Sequence, residues 1–192
     1  DKDCDLIESL KSDVRCQRSG VFPVCGSYVD LKEIIARSKF TKINGILFDL
    51  GYSSHHLEQS GRGFSFQKDE PLIMRYETDP NLGTGLTARE VVNQYKESEL
   101  ADIFFKYGEE RHSRKIARLI VAARKKSKIE TTKQLADIVL STYPKRFFHK
   151  IHPATKIFQA LRIFVNAELQ ELESVLPQAV DILEPGGKIA VI

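Results

Sequence analysis

The chain has 192 residues, 42% of them hydrophobic and 29% charged, which is enough apolar material to bury a substantial core in one domain or two small ones. No apolar run approaches the roughly 20 residues of a membrane span, and the acidic start Asp1-Lys-Asp-Cys-Asp5 is unlike a signal or transit peptide, so a cytosol-like compartment is expected. The net charge of +3 hides a split: residues 87–166 hold 17 Lys and Arg against 8 Asp and Glu, the remainder 12 against 18, so the middle of the chain suits a polyanion.

In chain order, Leu6, Ile7 and Leu10 mark a short amphipathic helix over Asp3 to Leu10, and Val21 to Cys25 reads as a strand ending at Gly26. Cys4, Cys16 and Cys25 are odd in number and lack metal-ligand spacing, which predicts reduced thiols and no metal site. Leu31 to Ala36 gives a second helix. The apolar run Ile46-Leu47-Phe48, entered from Gly45, has the pattern of a buried parallel strand, and it stops abruptly at Asp49, Gly51, Ser53 and Ser54. The residues that follow, with Gly51, Gly61, Gly63 and Pro71 among aromatics and charges, are too irregular for a helix and too rich in Phe, Met and Tyr for a linker, so they predict an ordered loop.

Helix, strand, helix, strand is the alternation of a parallel α/β sheet, which resumes in a helix over Glu168 to Leu183, a stop at Pro185-Gly186-Gly187, and a strand over Lys188 to Ile192. Between these parts the periodicity predicts helices at Thr87 to Gln94, Ser98 to Tyr107, Ser113 to Lys125, Thr131 to Ser141 and Ala154 to Asn166. Thr87 and Glu90 have the spacing of a capping box. With a boundary at Asn81 to Gly85, the expected organisation is an α/β domain of residues 1–85 and 167–192 and an all-helical insertion of residues 86–166. The missing initiator Met and the apolar last strand predict a chain cut at both ends.

Ligands of open α/β sheets bind at the carboxyl ends of the strands, so Asp49 is the leading candidate, against the plainer role of capping the next helix. Arg62, Phe64, Phe66, Met74 and Arg75 offer the cation and aromatic surface that single-stranded or flipped bases require; the alternative is a loop folded on its own apolar groups. Arg111, Lys115 and Arg118, at helical spacing, form with Arg114 a candidate phosphate-contacting stripe, where the plainer reading is a solvated face. His152, Lys156, Gln159 and Arg162 lie on or just before the helix that returns to the sheet, and any of them facing the cleft would join the site.

Five separated motifs, Asp49-Leu-Gly-Tyr-Ser-Ser54, Arg62-Gly-Phe-Ser-Phe66, Pro71-Leu-Ile-Met-Arg75, Tyr107-Gly-Glu-Glu-Arg111 and His152 through Asn166, make the chain resemble, over its whole length, the family of small-subunit ribosomal RNA cytosine-N4 methyltransferases. The resemblance implies a Rossmann-like class I methyltransferase sheet, incomplete here, with the inserted helical domain binding RNA, and methyl transfer from S-adenosylmethionine to the exocyclic N4 of one cytosine. It implies that Asp1, Tyr28, Asp49 and His56 contact the cofactor, although His56 stands where the family typically has Gln. Asp49 or the Ser53-Ser54 turn would accept the amino protons, and Arg62, Phe64, Arg75, Arg111, Arg114, Lys115, Arg118, Lys156 and Arg162 would face RNA or the small ribosomal subunit. In the family's strand order 3-2-1-4-5-7-6 the chain would hold strands 3, 4 and 5. The glycine loop that cradles the cofactor would precede Asp1, so these residues alone are expected to bind cofactor weakly. The rival reading is a non-catalytic RNA-binding module on a methyltransferase remnant, and the source is open between a bacterium, a mitochondrion and a plastid.

Overall fold

The computed structural model describes residues 1–18, 20–77, 85–143 and 152–192. In chain order its elements are α1 (Cys4–Ser12), α2 (Val14–Arg18), a 3-10 turn at Tyr28–Asp30, α3 (Leu31–Arg37), β1 (Ile43–Phe48), α4 (Ser54–Glu58), α5 (Ala88–Gln94), α6 (Glu97–Gly108), α7 (Ser113–Arg124), α8 (Thr132–Leu140), α9 (Ala154–Val165), α10 (Glu168–Ile182) and β2 (Leu183–Val191). They form two compact units: Asp1–Gly51, Tyr76–Gly83 and Ala167–Ile192 make the first, Tyr52–Arg75 and Thr84–Asn166 the second. Most of the expected boundary, Asn81 to Thr84, lies outside the described residues. The division differs from the expected one in a further respect, because the loop after β1 clusters with the helices and not with the sheet.

The first unit is a mixed α/β layer. Among the described residues its sheet has two strands, β1 and β2, paired in parallel with Ile46 opposite Ile189 and Phe48 opposite Val191. This is the pairing expected of Gly45 to Phe48 with Lys188 to Ile192. The ladder runs on past β2, where Ile192 N–H donates to Phe48 O and Leu50 N–H to Ile192 O. β2 begins earlier than expected, at Leu183, and absorbs Glu184 to Gly187 as an irregularity between the pairs Ile43/Leu183 and Gly45/Lys188. Gly186 takes φ +87° there, a conformation that other side chains disfavour. One face of the sheet packs on α10: Phe48, Val175 and Ala179 are its buried centre, flanked by Tyr28, Leu31, Ile46, Leu172 and Ile189.

Two expectations fail in this unit. Val21 to Cys25 is not a strand, and Phe22 is 61% exposed, resting edge-on against Phe40. A strand needs a ladder for its N–H and C=O groups, and what this segment finds is Asp1, whose amino terminus donates to Val24 O and whose carbonyl accepts from Gly26 N–H. The same contacts overturn the reading of reduced thiols. They lay the start of α1 beside Cys25, and Cys4 and Cys25 form a disulfide with Cα atoms 5.1 Å apart, a bridge in which Cys16 takes no part.

The second unit is built of α4 to α9. The expected helices agree with α5 to α9 within one residue at each end, and two of the starts carry a clear chemical signal: Thr87 accepts from Glu90 N–H while Glu90 reaches back to Thr87 N–H, and Thr131 and Gln134 repeat the box. α6 packs on both α7 and α9. Phe104, Leu100, Ile116, Ile120, Leu135, Ile157 and Leu161 supply the fully buried core. Only a glycine permits the closest approach of α6 to α9, since a Cβ on Gly108 would stand 2.4 Å from Lys156 O, a backbone atom. Gly108→Ala is therefore expected to lower stability by about 1–3 kcal/mol, read as a lower denaturant midpoint. An unchanged midpoint would show that α6 and α9 have room to part.

Candidate functional site

In the first unit the candidate residues gather around the end of β1. Asp49 follows Phe48 directly and is exposed, so its carboxylate is presented to solvent at a strand tip. The Tyr28 ring packs edge-on against Phe48 at 5.9 Å, and its hydroxyl donates to Glu168 O at 3.4 Å. Asp1 lies against Gly26, two residues before Tyr28, and its Oδ1 accepts from Asp3 N–H at 2.9 Å. The structure thus strings Asp1, Gly26, Tyr28, Phe48 and Asp49 along one path of contacts. Behind it Lys2 bridges Glu77, at 3.2 Å, and Glu171, and Tyr76 donates to Glu168 at 3.1 Å. Burial, reinforced by the carboxylates of Glu171 and Glu168, pushes the Tyr28 phenol up to about 12.

In the second unit the loop after β1 is pinned by helix starts. Leu72 N–H donates to Glu130 O, Thr132 N–H to Glu70 O, Glu70 N–H to Thr132 Oγ1, and Arg89 N–H to Leu72 O. Expected to lack helix, the loop nevertheless contains the short α4. Ser53 is its N-cap, exposed like Ser54, and His56 at its third position is 2% exposed, its ring edge-on to Phe64 at 5.2 Å. His56 Nδ1 accepts from Ser53 N–H at 3.2 Å and lies 3.0 Å from Ser53 Oγ.

A groove of about 420 Å³ opens beside this turn, with Tyr52, Phe64, Phe66 and Phe158 as aromatic lining and Lys68, Gln159 and Arg162 as polar groups. The Arg162 guanidinium lies 4.8 Å from the centre of the Tyr52 ring, and Arg62 lies 5.9 Å from that of Phe64. Phe66 meets Phe158 edge-on and stacks on His152 at 4.6 Å. Aromatic faces joined to cations are the surface on which an unstacked base rests. Sequence reasoning gave Tyr52 and Phe158 no role, yet Phe158 stands one turn before Arg162 and that spacing could have found it.

Other expected contacts fall elsewhere. Met74 has no exposed surface and belongs to the core, so it offers nothing to a base. Arg75 is only 9% exposed, and its Nε has no hydrogen-bond partner among the described residues. Arg111, Arg114, Lys115 and Arg118 are all exposed, with Lys115 donating to Thr142 O. Lys156 is exposed and donates to Glu109 O at 3.0 Å.

A family model described as the MraW methylase family matches residues 1–192. Similar proteins include the Ribosomal RNA small subunit methyltransferase H of Deinococcus radiodurans, 48% identical over 173 residues, covering 90% of this chain and 54% of that protein. The protein of the same name from Desulfosudis oleivorans is 43% identical over 194 residues, covering 100% of this chain and 61% of the relative. That of Acinetobacter baumannii is 49% identical over 166 residues, covering 86% and 52%. The chain therefore spans between half and two thirds of the length of these relatives.

The Tyr28 phenol provides a test of the strand-end geometry. Raised from an ordinary value of about 10, it contributes stability that is whole below pH ~10 and is lost as pH climbs through about 12. Tyr28→Phe keeps the ring on Phe48 and removes the titration. The decline of thermal midpoint over that alkaline interval should be shallower in the variant; parallel declines would mean the hydroxyl is not held as described.

Proposed function

The chain belongs to the MraW methylase family, and from that premise we propose that the protein of which it forms part methylates the exocyclic N4 of a cytosine in small-subunit ribosomal RNA, using S-adenosylmethionine. The observation that carries the reading is the family match across all 192 residues. The names of the relatives support the RNA class, and the chemistry of the side chains supports the rest.

The residues of the first unit suit the cofactor. Asp49 and Asp1 are exposed carboxylates, the acceptors that a ribose diol or an ammonium group asks for, and Tyr28 adds an aromatic wall. Bound there, the cofactor supplies an electrophilic sulfonium methyl. The rest is positioning and shielding by the protein, because cytosine N4 is a weak nucleophile whose lone pair is drawn into the ring. An acceptor for the amino protons helps as charge builds on that nitrogen. Asp49 and the exposed Ser53 and Ser54 hydroxyls are the groups assigned to it.

In the second unit the groove between Phe64, Phe66 and Tyr52 takes a base by stacking, with Arg162 and Arg62 as cations at its aromatic rings. The exposed Arg111, Arg114, Lys115 and Arg118 contact phosphates, as the surplus of positive charge over residues 87–166 suits. These contacts fix register and orientation.

The direct test incubates a full-length protein carrying this sequence with small-subunit ribosomal RNA and methyl-labelled S-adenosylmethionine, followed by nucleoside mass spectrometry. N4-methylcytidine is expected. RNA retention with no label would favour a binding module instead. Asp49→Ala should abolish transfer with the fold intact, since an exposed tip carboxylate contributes little to packing; full turnover by that variant would remove Asp49 from the site. Reversing Arg114, Lys115 and Arg118 to Glu should weaken RNA binding and flatten its salt dependence, as each lost phosphate contact removes counterion release. An unchanged salt slope would exclude the stripe.

A further inference from the structure

The start of α4 holds two side chains in an arrangement that its capping role does not exhaust. A backbone N–H can only donate, so the 3.2 Å bond from Ser53 N–H makes His56 Nδ1 an acceptor and places the ring proton on Nε2. The Ser53 hydroxyl lies 3.0 Å from the same nitrogen, and with no hydrogen on Nδ1 the hydroxyl is the donor of the bond between them. His56 cannot easily turn away, being 2% exposed with its ring against Phe64, while His55 meets it edge-on at 6.0 Å. Ser53, by contrast, is exposed. A freely rotating hydroxyl presents donor and acceptor alike. Here the hydrogen is turned inward, one oxygen lone pair faces the His56 N–H of the capping box, and the other remains for a substrate.

We propose that His56 is a positioning residue that fixes the Ser53 hydroxyl as a hydrogen-bond acceptor for the exocyclic amine of the target base. The assignment rests on the methyltransferase reading above and deepens it. A primary aromatic amine presents two N–H donors, and a hydroxyl able to donate would compete with the incoming methyl for the nitrogen lone pair; one held as acceptor polarises the N–H bond instead. In the transfer itself the N–CH3 bond forms as the S–CH3 bond breaks, the electron pair stays on sulfur, and the proton that the nitrogen sheds passes to water. Ser53 accepts a hydrogen bond throughout and keeps its own proton.

The experiment is a double-mutant cycle in the full-length protein, with small-subunit ribosomal RNA and labelled S-adenosylmethionine. Loss of one net hydrogen bond corresponds to a change of about 2- to 10-fold, so Ser53→Ala and His56→Ala should each lower kcat by that factor with little change in KM for RNA. Because His56 acts through the hydroxyl, the double variant should be no slower than Ser53→Ala alone. Multiplying effects would show that His56 acts through the backbone N–H or its packing, and would overturn the proposal. His56→Asn places an amide oxygen where Nδ1 stands and should keep kcat within about twofold of the starting protein; a loss as deep as that of His56→Ala would also overturn it. Nitrogen-15 NMR of the imidazole provides a readout free of activity. Nδ1 should be the unprotonated nitrogen, with a signal that moves in Ser53→Ala, and the opposite tautomer would end the assignment. Were the unaltered protein to transfer no methyl group, the functional reading would fall, while the tautomer would still decide the pair.

Discussion

Everything in the second unit depends on how a loop without a β ladder satisfies its backbone. Gly63, Phe64, Leu72 and Met74 of this loop are buried, where an unpaired N–H or C=O costs about 1–3 kcal/mol, and many of the partners of the loop's backbone groups come from the first turns of helices. Thr132 alone serves three of them: its N–H meets Glu70 O, and its hydroxyl accepts from Glu70 N–H and donates to Lys68 O at 2.6 Å. Arg62 O accepts from Met74 N–H, and the Glu70 carboxylate closes back on Gly63 N–H. The backbone there is so close that a Cβ on Gly63 would lie 2.3 Å from Pro71 O, and its φ of +76° excludes most other residues as well. With the loop fixed in this way, Phe64 and Phe66 hold their places as walls of the groove without a sheet behind them.

The first unit is held differently. Its buried apolar centre, Phe48, Val175 and Ala179, is small, and polar links carry much of its definition: Lys2 with Glu77 and Glu171, Gln178 to Val29 O, Tyr28 and Tyr76 to Glu168, and the Cys4–Cys25 bridge. Burial raises the Glu171 carboxyl above its ordinary value even with the Lys2 ammonium beside it, and the Glu77 and Glu168 carboxylates add to the rise.

The sequence made the helices legible because their signals are local. Thr87 with Glu90 and Thr131 with Gln134 name the starts of α5 and α8 within one residue, and the apolar spacing of α6 and α9 names their buried faces. β1 and β2 were legible for the same reason, as apolar runs flanked by polar stops. What failed was non-local. Whether Val21 to Cys25 becomes a strand depends on a partner outside the segment, and no composition rule supplies one. The Cys4–Cys25 bond depends on Asp1 lying against Val24 and Gly26, which cysteine spacing does not encode. The affiliation of Tyr52–Arg75 depends on hydrogen bonds to Glu130 and Thr132, more than fifty residues away. For the candidate site, residue types pointed to an aromatic and cationic surface but could not sort Phe64, which lines a groove, from Met74, which is sealed in the core.

That sorting has a backbone cause. Met74 has φ +57° and Ala167 has φ +50°, left-handed conformations that cost a non-glycine residue on the order of 1–3 kcal/mol each. Met74 is the last residue but one of Tyr52–Arg75, and Ala167 is the residue that follows Thr84–Asn166. Asn166 holds the first of these in place, its side-chain amide donating to Met74 O at 2.7 Å and to Arg162 O at 2.8 Å. Met74 N–H is taken by Arg62 O, so both polar groups of the strained residue are satisfied and its side chain is fully buried. Surroundings that over-determine a residue in this way can hold it in a disfavoured well. The end of α9 that carries Arg162 into the groove is thus tied, through Asn166, to the turn that buries Met74, and a methionine that read in the sequence as substrate-facing acts as part of the frame that aims its neighbours.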